Sequence, residues 1–302
     1  PSVYRSKQRA MKAYSAFLIL LLCLSLQGIA QPAAPVLVEA DWLKEHLKDP
    51  NLVILQTSYL KYEYDQEHIE GAQYLWPGWL APDSPYGAMN APDLNEATTR
   101  LRSYGITDQS HVIICHTRGD VSQAARMFLT LEHLGLRGKV SFLNGGLDAW
   151  KKAGNAVTQV VQVVKKGNFK ATDNGLLVDK NYVLKTLQSG QGTIIDARAT
   201  RFYDGEPVGN PRDGHIAGAK NIPFMDLVDQ STNKFKPTDQ VNAYFIPVAD
   251  KNKEVVTYCF IGQTASVVYL AGRSLGYDVK LYDGSMQEWS RIPELPMEIT
   301  KK

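Results

Sequence analysis

The chain has 302 residues, 44% of them hydrophobic and 21% charged, with 33 basic against 31 acidic side chains. That length suggests about two domains, and the composition is that of an ordinary globular protein. Arg5, Lys7, Arg9 and Lys12 precede residue 31 and no acid does, so the rest carries 29 basic and 31 acidic residues, net −2, which leaves no footprint for nucleic acid.

Residues 1–30 read as a secretory signal. A basic stretch is followed by an apolar run at 16–26 and then by the small residues Gly28 and Ala30 around Ile29. The run is shorter than the ~20 residues of a membrane span. Met11-Lys12 opens a normal signal, which makes residues 1–10 an upstream extension. Leu20, Leu21 and Leu22 stand directly before Cys23, where a lipidated signal has a small residue, so a lipid anchor is not expected. The expectation is an exported chain, periplasmic or secreted, beginning near Gln31. Cys115 and Cys259 are then the remaining cysteines. No Cys-x-x-Cys or His-x-x-x-His grouping supports a metal, and no cofactor is expected.

Short apolar strands alternate with helices along the rest of the chain. The first half predicts helices at 41–47, 94–104, 122–134 and 146–153, with strands at 52–56, 112–115 and 140–143. The second half predicts matching helices at 179–188, 241–244, 264–275 and 286–291, with strands at 193–196, 255–258 and 279–282. Long loops fall at 77–92 and 203–212. This alternation gives an α/β class, each domain a mostly parallel sheet covered by helices on both faces.

The two halves are copies. His68-Ile69-Glu70-Gly71-Ala72 recurs as His215-Ile216-Ala217-Gly218-Ala219, and Leu143-Asn144-Gly145-Gly146 through Trp150 recurs as Tyr282-Asp283-Gly284-Ser285 through Trp289. The reading is domain 1 at 36–160, a linker at 161–172 and domain 2 at 173–298. Cys115 and Cys259 fall in separate domains and are not expected to pair.

Cys259 is the chemical centre of this pattern. It follows the strand Val255-Val256-Thr257-Tyr258 and precedes a tight loop with Gly262, after which helical spacing begins. A cysteine acts as a nucleophile through its thiolate. A helix N-terminus supplies unpaired N–H groups and a positive dipole end that favour an anion. Sites of such sheets also lie at the carboxyl ends of the strands.

The ordered set of motifs resembles the two-domain rhodaneses, the thiosulfate and 3-mercaptopyruvate sulfurtransferases. It consists of two His-Ile-x-Gly-Ala stretches, Tyr258-Cys259-x-x-Gly262-x-x-Ala265-Ser266, and Asp283-Gly284 followed by Trp289. The resemblance covers nearly all of residues 36–296. It implies two tandem rhodanese-like domains, of which the second carries a cysteine that becomes a persulfide and the first is a degenerate copy. Cys115 then aligns with Tyr258 and His116 with Cys259. The loop from Thr117 to Gln123 is expected to be longer than its counterpart.

The resemblance also implies roles. Arg201 matches a substrate-binding arginine, and an arginine fork suits a carboxylate or sulfonate-like group. Arg198 is expected to contact substrate or to pair with Asp196. Phe260, Ile261, Gly262, Gln263 and Thr264 form the loop whose amides hold the sulfur. His215, present in both copies as His68, is expected to be structural support, as is Asp196. The implied reaction is double displacement from a small-molecule sulfur donor to a thiol or cyanide acceptor through Cys259. The donor stays open, with thiosulfate taken as the generic activity. Phe260 and Ile261 match neither the basic loop of thiosulfate-specific members nor the small, hydroxyl-rich loop of mercaptopyruvate-specific ones. A cysteine phosphatase would need arginine where Ala265 stands. A non-enzymatic persulfide relay is the alternative, and the oligomeric state stays open.

Overall fold

The computed structural model describes residues 33–85 and 87–300. The expected signal at 1–30 and Cys23 lie outside the described residues. From Ala34 onward the chain forms one compact unit.

In the first half, β1 (Leu37–Val38) leads to α1 (Ala40–His46), β2 (Leu52–Thr57), α2 (Lys61–Gln66) and β3 (Gln73–Leu75). After the long loop come α3 (Leu94–Ser103), β4 (His111–His116), α4 (Ser122–Leu131), β5 (Val140–Leu143) and α5 (Gly146–Lys152). The strand order is β1-β5-β4-β2-β3, with every pair parallel.

The second half repeats this. It runs β6 (Leu177–Val178), α6 (Lys180–Ser189), β7 (Gly192–Asp196), α7 (Thr200–Tyr203), β8 (His215–Ile216) and β9 (Lys220–Asn221). A hairpin follows, β10 (Val228–Asp229) with β11 (Lys234–Phe235), then α8 (Thr238–Phe245), β12 (Glu254–Tyr258) and α9 (Ala265–Ser274). The chain continues with β13 (Val279–Tyr282), α10 (Ser285–Trp289) and β14 (Met297–Glu298). The order β6-β13-β12-β7-β9 copies the first sheet, again all parallel. The expected α/β class and helix-covered parallel sheets are what the fold shows.

Period-two alternation sorts the strand residues. Val112 and Ile114 face one apolar cluster, while Ile113 and Cys115 face another. In β12, Val255 faces the shared inner cluster, and Val256 and Tyr258 the outer one. The inner cluster is continuous across both halves and holds α4 and α9, which pack on each other. Nine of ten residues in α4 and eight of ten in α9 are buried, which is why both read as nearly apolar all round. A buried ion pair also joins the halves: Glu132, in the π-helical turn that ends α4, accepts from Tyr269 Oη at 2.6 Å and from Arg273 Nε and Nη2 at 3.0 Å each. That turn explains why the predicted helix at 122–134 closes at Leu131 instead, with Gly135 at φ +104° reversing the chain.

The repeat extends to hydrogen bonds. His68 Nδ1 faces Tyr64 O at 2.9 Å and stacks on that tyrosine at 4.1 Å; His215 Nδ1 faces Tyr203 O at 2.7 Å and stacks at 3.7 Å. Trp150 Nε1 donates to Ala156 O, and Trp289 Nε1 to Pro296 O.

Candidate active site

β12 pairs with β7 so that Tyr258 faces Asp196, and β4 pairs with β2 so that Cys115 faces Gln56 and His116 faces Thr57. The register therefore sets Cys115 opposite Tyr258 and His116 opposite Cys259 in the repeat. One expectation is corrected. Both loops have five residues, 117–121 and 260–264, before α4 begins at Ser122 and α9 at Ala265. The domain 1 loop is not longer, because α4 already begins at Ser122, inside the stretch expected to be loop.

Cys259 sits one residue past the end of β12, 1% exposed and with a free thiol. The Gly262 N–H donates to its Sγ at 3.2 Å. That contact needs the loop to double back, and Gly262 does so at φ +83°, a conformation glycine adopts at little cost. The Cys259 N–H donates to Ser285 Oγ at 3.2 Å, while the Ser285 hydroxyl donates onward to Tyr282 O at 3.0 Å. The first amides of α10 complete the grip: Met286 N–H reaches Cys259 O at 3.0 Å and Gln287 N–H reaches Phe260 O at 2.9 Å. Gly262 O accepts from Ser266 Oγ at 3.0 Å and from Arg126 Nη1 at 3.3 Å, and Gln263 Nε2 donates to Ser122 Oγ at 2.9 Å. The loop is thus held by domain 1 as well as by its own domain.

Asp196 and Arg198 are both buried and face each other as a bidentate pair, Nε to Oδ1 at 3.0 Å and Nη2 to Oδ2 at 2.6 Å. Arg198 Nη2 also donates to Gly214 O at 2.7 Å. Burial opposes the charged form of Arg198, but the Asp196 hydrogen bond and charge outweigh it and hold its pKa above the ordinary value. Of the two roles foreseen for Arg198, this geometry fits the pairing one, since Nε and Nη2 are engaged by protein. The guanidinium lies 5.0 Å from the Phe260 ring, which meets Phe202 edge-on at 5.3 Å.

Arg201 stands apart from this buried cluster. Its side chain is 63% exposed, 3.7 Å from Glu206, with its guanidinium 4.5 Å over Phe202. It reaches the Cys259 loop through the Phe202–Phe260 contact. Phe260, Ile261, Gln263 and Thr264 are partly exposed, whereas Gly262 is buried. His215 carries the same tyrosine contacts as His68. Its neighbour Ile216 donates N–H to Tyr258 Oη at 3.0 Å, and burial, then the Asp196 charge, pushes that phenol well above its ordinary value.

The equivalent place in domain 1 is filled. His116 is 2% exposed, and it stacks with Phe142 at 5.9 Å. Its ring nitrogens are buried without hydrogen-bond partners, and burial holds its pKa down to about 4. Cys115 points into the outer cluster, where burial pushes its thiol up.

Residues 39–153 and 179–292 each match the rhodanese-like domain family. The chain belongs to the rhodanese family. A 3-mercaptopyruvate sulfurtransferase of Escherichia coli strain K12 is 31% identical over 279 residues, covering 87% of this rhodanese and 98% of its relative. A mouse thiosulfate sulfurtransferase is 31% identical over 275 residues, covering 84% and 92%. The crystal structure of SseA from Escherichia coli, a 3-mercaptopyruvate sulfotransferase, superposes with a TM-score of 0.73 at 30% identity, over 83% of this rhodanese and 99% of that chain. With the family comes the reaction class: this rhodanese is a sulfurtransferase.

Arg126, Asp283 and Ser285 were not foreseen at this site. Arg126 had a signal, as the lone cation in Ala124-Ala125-Arg126-Met127-Phe128-Leu129, an otherwise apolar helical stretch. Ser285 had none, since its contact with Cys259 spans 26 residues.

Proposed function

We propose that this rhodanese moves a sulfane sulfur through a persulfide on Cys259. The Cys259 thiolate attacks the transferable sulfur of the donor, and sulfite leaves from thiosulfate or pyruvate from 3-mercaptopyruvate. A thiol or cyanide then removes the sulfur. The observation that carries this reading is the Gly262 N–H lying 3.2 Å from Sγ, at the carboxyl end of the central strand and just before α9. A preorganised amide at that position favours negative charge on sulfur in each half-reaction. Arg201 is the exposed cation that meets the anionic part of the donor, held beside the loop by Phe202. Phe260 and Ile261 put apolar surface where a dianion would need cations, which favours a donor with an organic part. Asp196 and His215 support the loop from beneath and make no contact with substrate. The basic and apolar character of residues 1–30 supports export of the chain before it acts.

The test compares thiosulfate with 3-mercaptopyruvate at equal concentration, with cyanide and with a dithiol as acceptors. Intact-mass analysis after donor alone should find one added sulfur atom, mapped to Cys259. Turnover with no sulfur ever found on Cys259 would defeat the reading.

A further inference from the structure

Arg126 lies in domain 1, yet both of its hydrogen-bond partners belong to domain 2. Nη1 donates to Gly262 O at 3.3 Å and Nη2 to Asp283 Oδ1 at 2.8 Å. The side chain is fully buried, and Nε is buried without a partner. A guanidinium is costly to bury, and replacing a buried ion pair by apolar side chains is often neutral or stabilising. Packing alone therefore gives no reason for a charge here, on a helix whose other faces are apolar.

The partners supply one. Gly262 is the residue whose N–H touches Cys259 Sγ. Asp283 stands two residues before Ser285, whose hydroxyl takes the Cys259 N–H. One planar fork thus ties together the two segments that touch the cysteine. A Cβ added at Gly262 would stand 2.9 Å from Arg126 Nη1, so the guanidinium also closes the space into which the loop would relax. The feature is not part of the repeat: the same position in α9 is Tyr269, which bonds to Glu132 instead. At this position of the repeat α4 carries arginine and α9 tyrosine.

We propose that Arg126 is a positioning residue for sulfur transfer, supplied by the domain that does not carry Cys259, which fixes Gly262 so that its amide stays on the Cys259 sulfur. This rests on the persulfide reading for its effect on turnover. Its effect on thiol reactivity stands on geometry alone.

The experiment uses the full chain with Arg126→Met, Arg126→Lys and Arg273→Met. Arg126→Met should lower kcat about tenfold or more while KM stays within about twofold, because a small displacement of a reacting group costs rate before binding. The rate of Cys259 alkylation by iodoacetamide, read by peptide mass, should fall in parallel. Arg126→Lys keeps the charge and one donor and should recover part of both. Arg273→Met breaks the other buried interdomain pair and should lower thermal stability while leaving kcat and alkylation unchanged. If Arg126→Met does not fold, Arg126→Lys must still show reduced kcat at unchanged KM. The proposal is overturned if both Arg126 variants keep kcat and alkylation within about twofold, if only KM changes, or if Arg273→Met causes an equal loss. Cys259→Ser is read separately: turnover surviving there removes the persulfide reading, and the alkylation rates still decide on Arg126.

Discussion

The turns that follow His116 and Cys259 have equal length and the same glycine, Gly119 at φ +75° and Gly262 at φ +83°, yet opposite contents. In domain 2 the residue before the turn is a cysteine, and the chain facing it carries Ser285, which accepts the cysteine amide. In domain 1 the equivalent residue is His116, the last of β4, and the facing residue is Gly146, where a Cβ would stand 2.5 Å from His116 O and 2.7 Å from ring atoms. The imidazole occupies the space that a facing side chain would need. The next loop residues diverge as well. Arg118, Gly119 and Asp120 are exposed, whereas Gly262 is buried against Arg126 and Gln263 is tied to Ser122. The hairpin completes the contrast by covering domain 1: Phe235 N–H reaches Asn144 Oδ1 at 2.9 Å and the Phe235 ring meets Phe142 at 6.1 Å. The two copies share a scaffold and differ in side-chain volume at two facing positions, histidine against glycine in domain 1 and cysteine against serine in domain 2.

The sharpest way to break this contrast is to exchange the sulfurs. Cys259→Ser should abolish turnover, a loss of at least about a thousandfold as for other covalent nucleophiles. Cys115→Ser should leave most of the activity, because that thiol points into the outer apolar cluster. Equal losses in a cyanide-acceptor assay would refute the asymmetry.

The next test alters the glycines. Gly262→Ala meets both a positive φ and the Arg126 guanidinium at 2.9 Å, and should lower kcat by about 10- to 100-fold. Gly119→Ala has open space and only the φ penalty, about 1 kcal/mol of stability, with turnover unchanged. Thermal melts and steady-state rates on both variants separate the two outcomes.

The smallest effect concerns acid. The His116 imidazole is held down to about 4 by burial, against an ordinary value of 6.5. As pH falls below 6.5 the unfolded chain takes up this proton first, so folded stability drops through that window and the drop ends near pH 4. His116→Phe, which keeps the stack on Phe142, should flatten the slope by up to about 1.4 kcal/mol per pH unit. Denaturant midpoints at several pH values between those limits would reveal it, and an unchanged slope would show that His116 does not titrate differently on unfolding.

Much of this molecule was legible in the amino-acid order because the information is local or repeated. Central strands such as β12 are short apolar runs. Buried helices such as α9 carry a helical period, and the His-Ile-x-Gly-Ala and Trp motifs recur at matching places. The edge strands β1, β3, β6 and β9 escaped notice because two or three residues carry no period, and their pairing comes from the neighbouring strand.

By itself the sequence determined the duplicated α/β scaffold, the separate placement of Cys115 and Cys259, and the strand-to-turn position of the cysteine. Hydrophobic period and turn chemistry act over a few residues and can be read along the chain. Only the tertiary structure decided that Ser285 receives the Cys259 amide, that Asp196 holds Arg198 in a buried pair, and that Arg126 reaches Gly262 across 136 residues. Those contacts arise when α4 and α9 bury their apolar faces against each other, and a packed interface sets distances that no local pattern encodes.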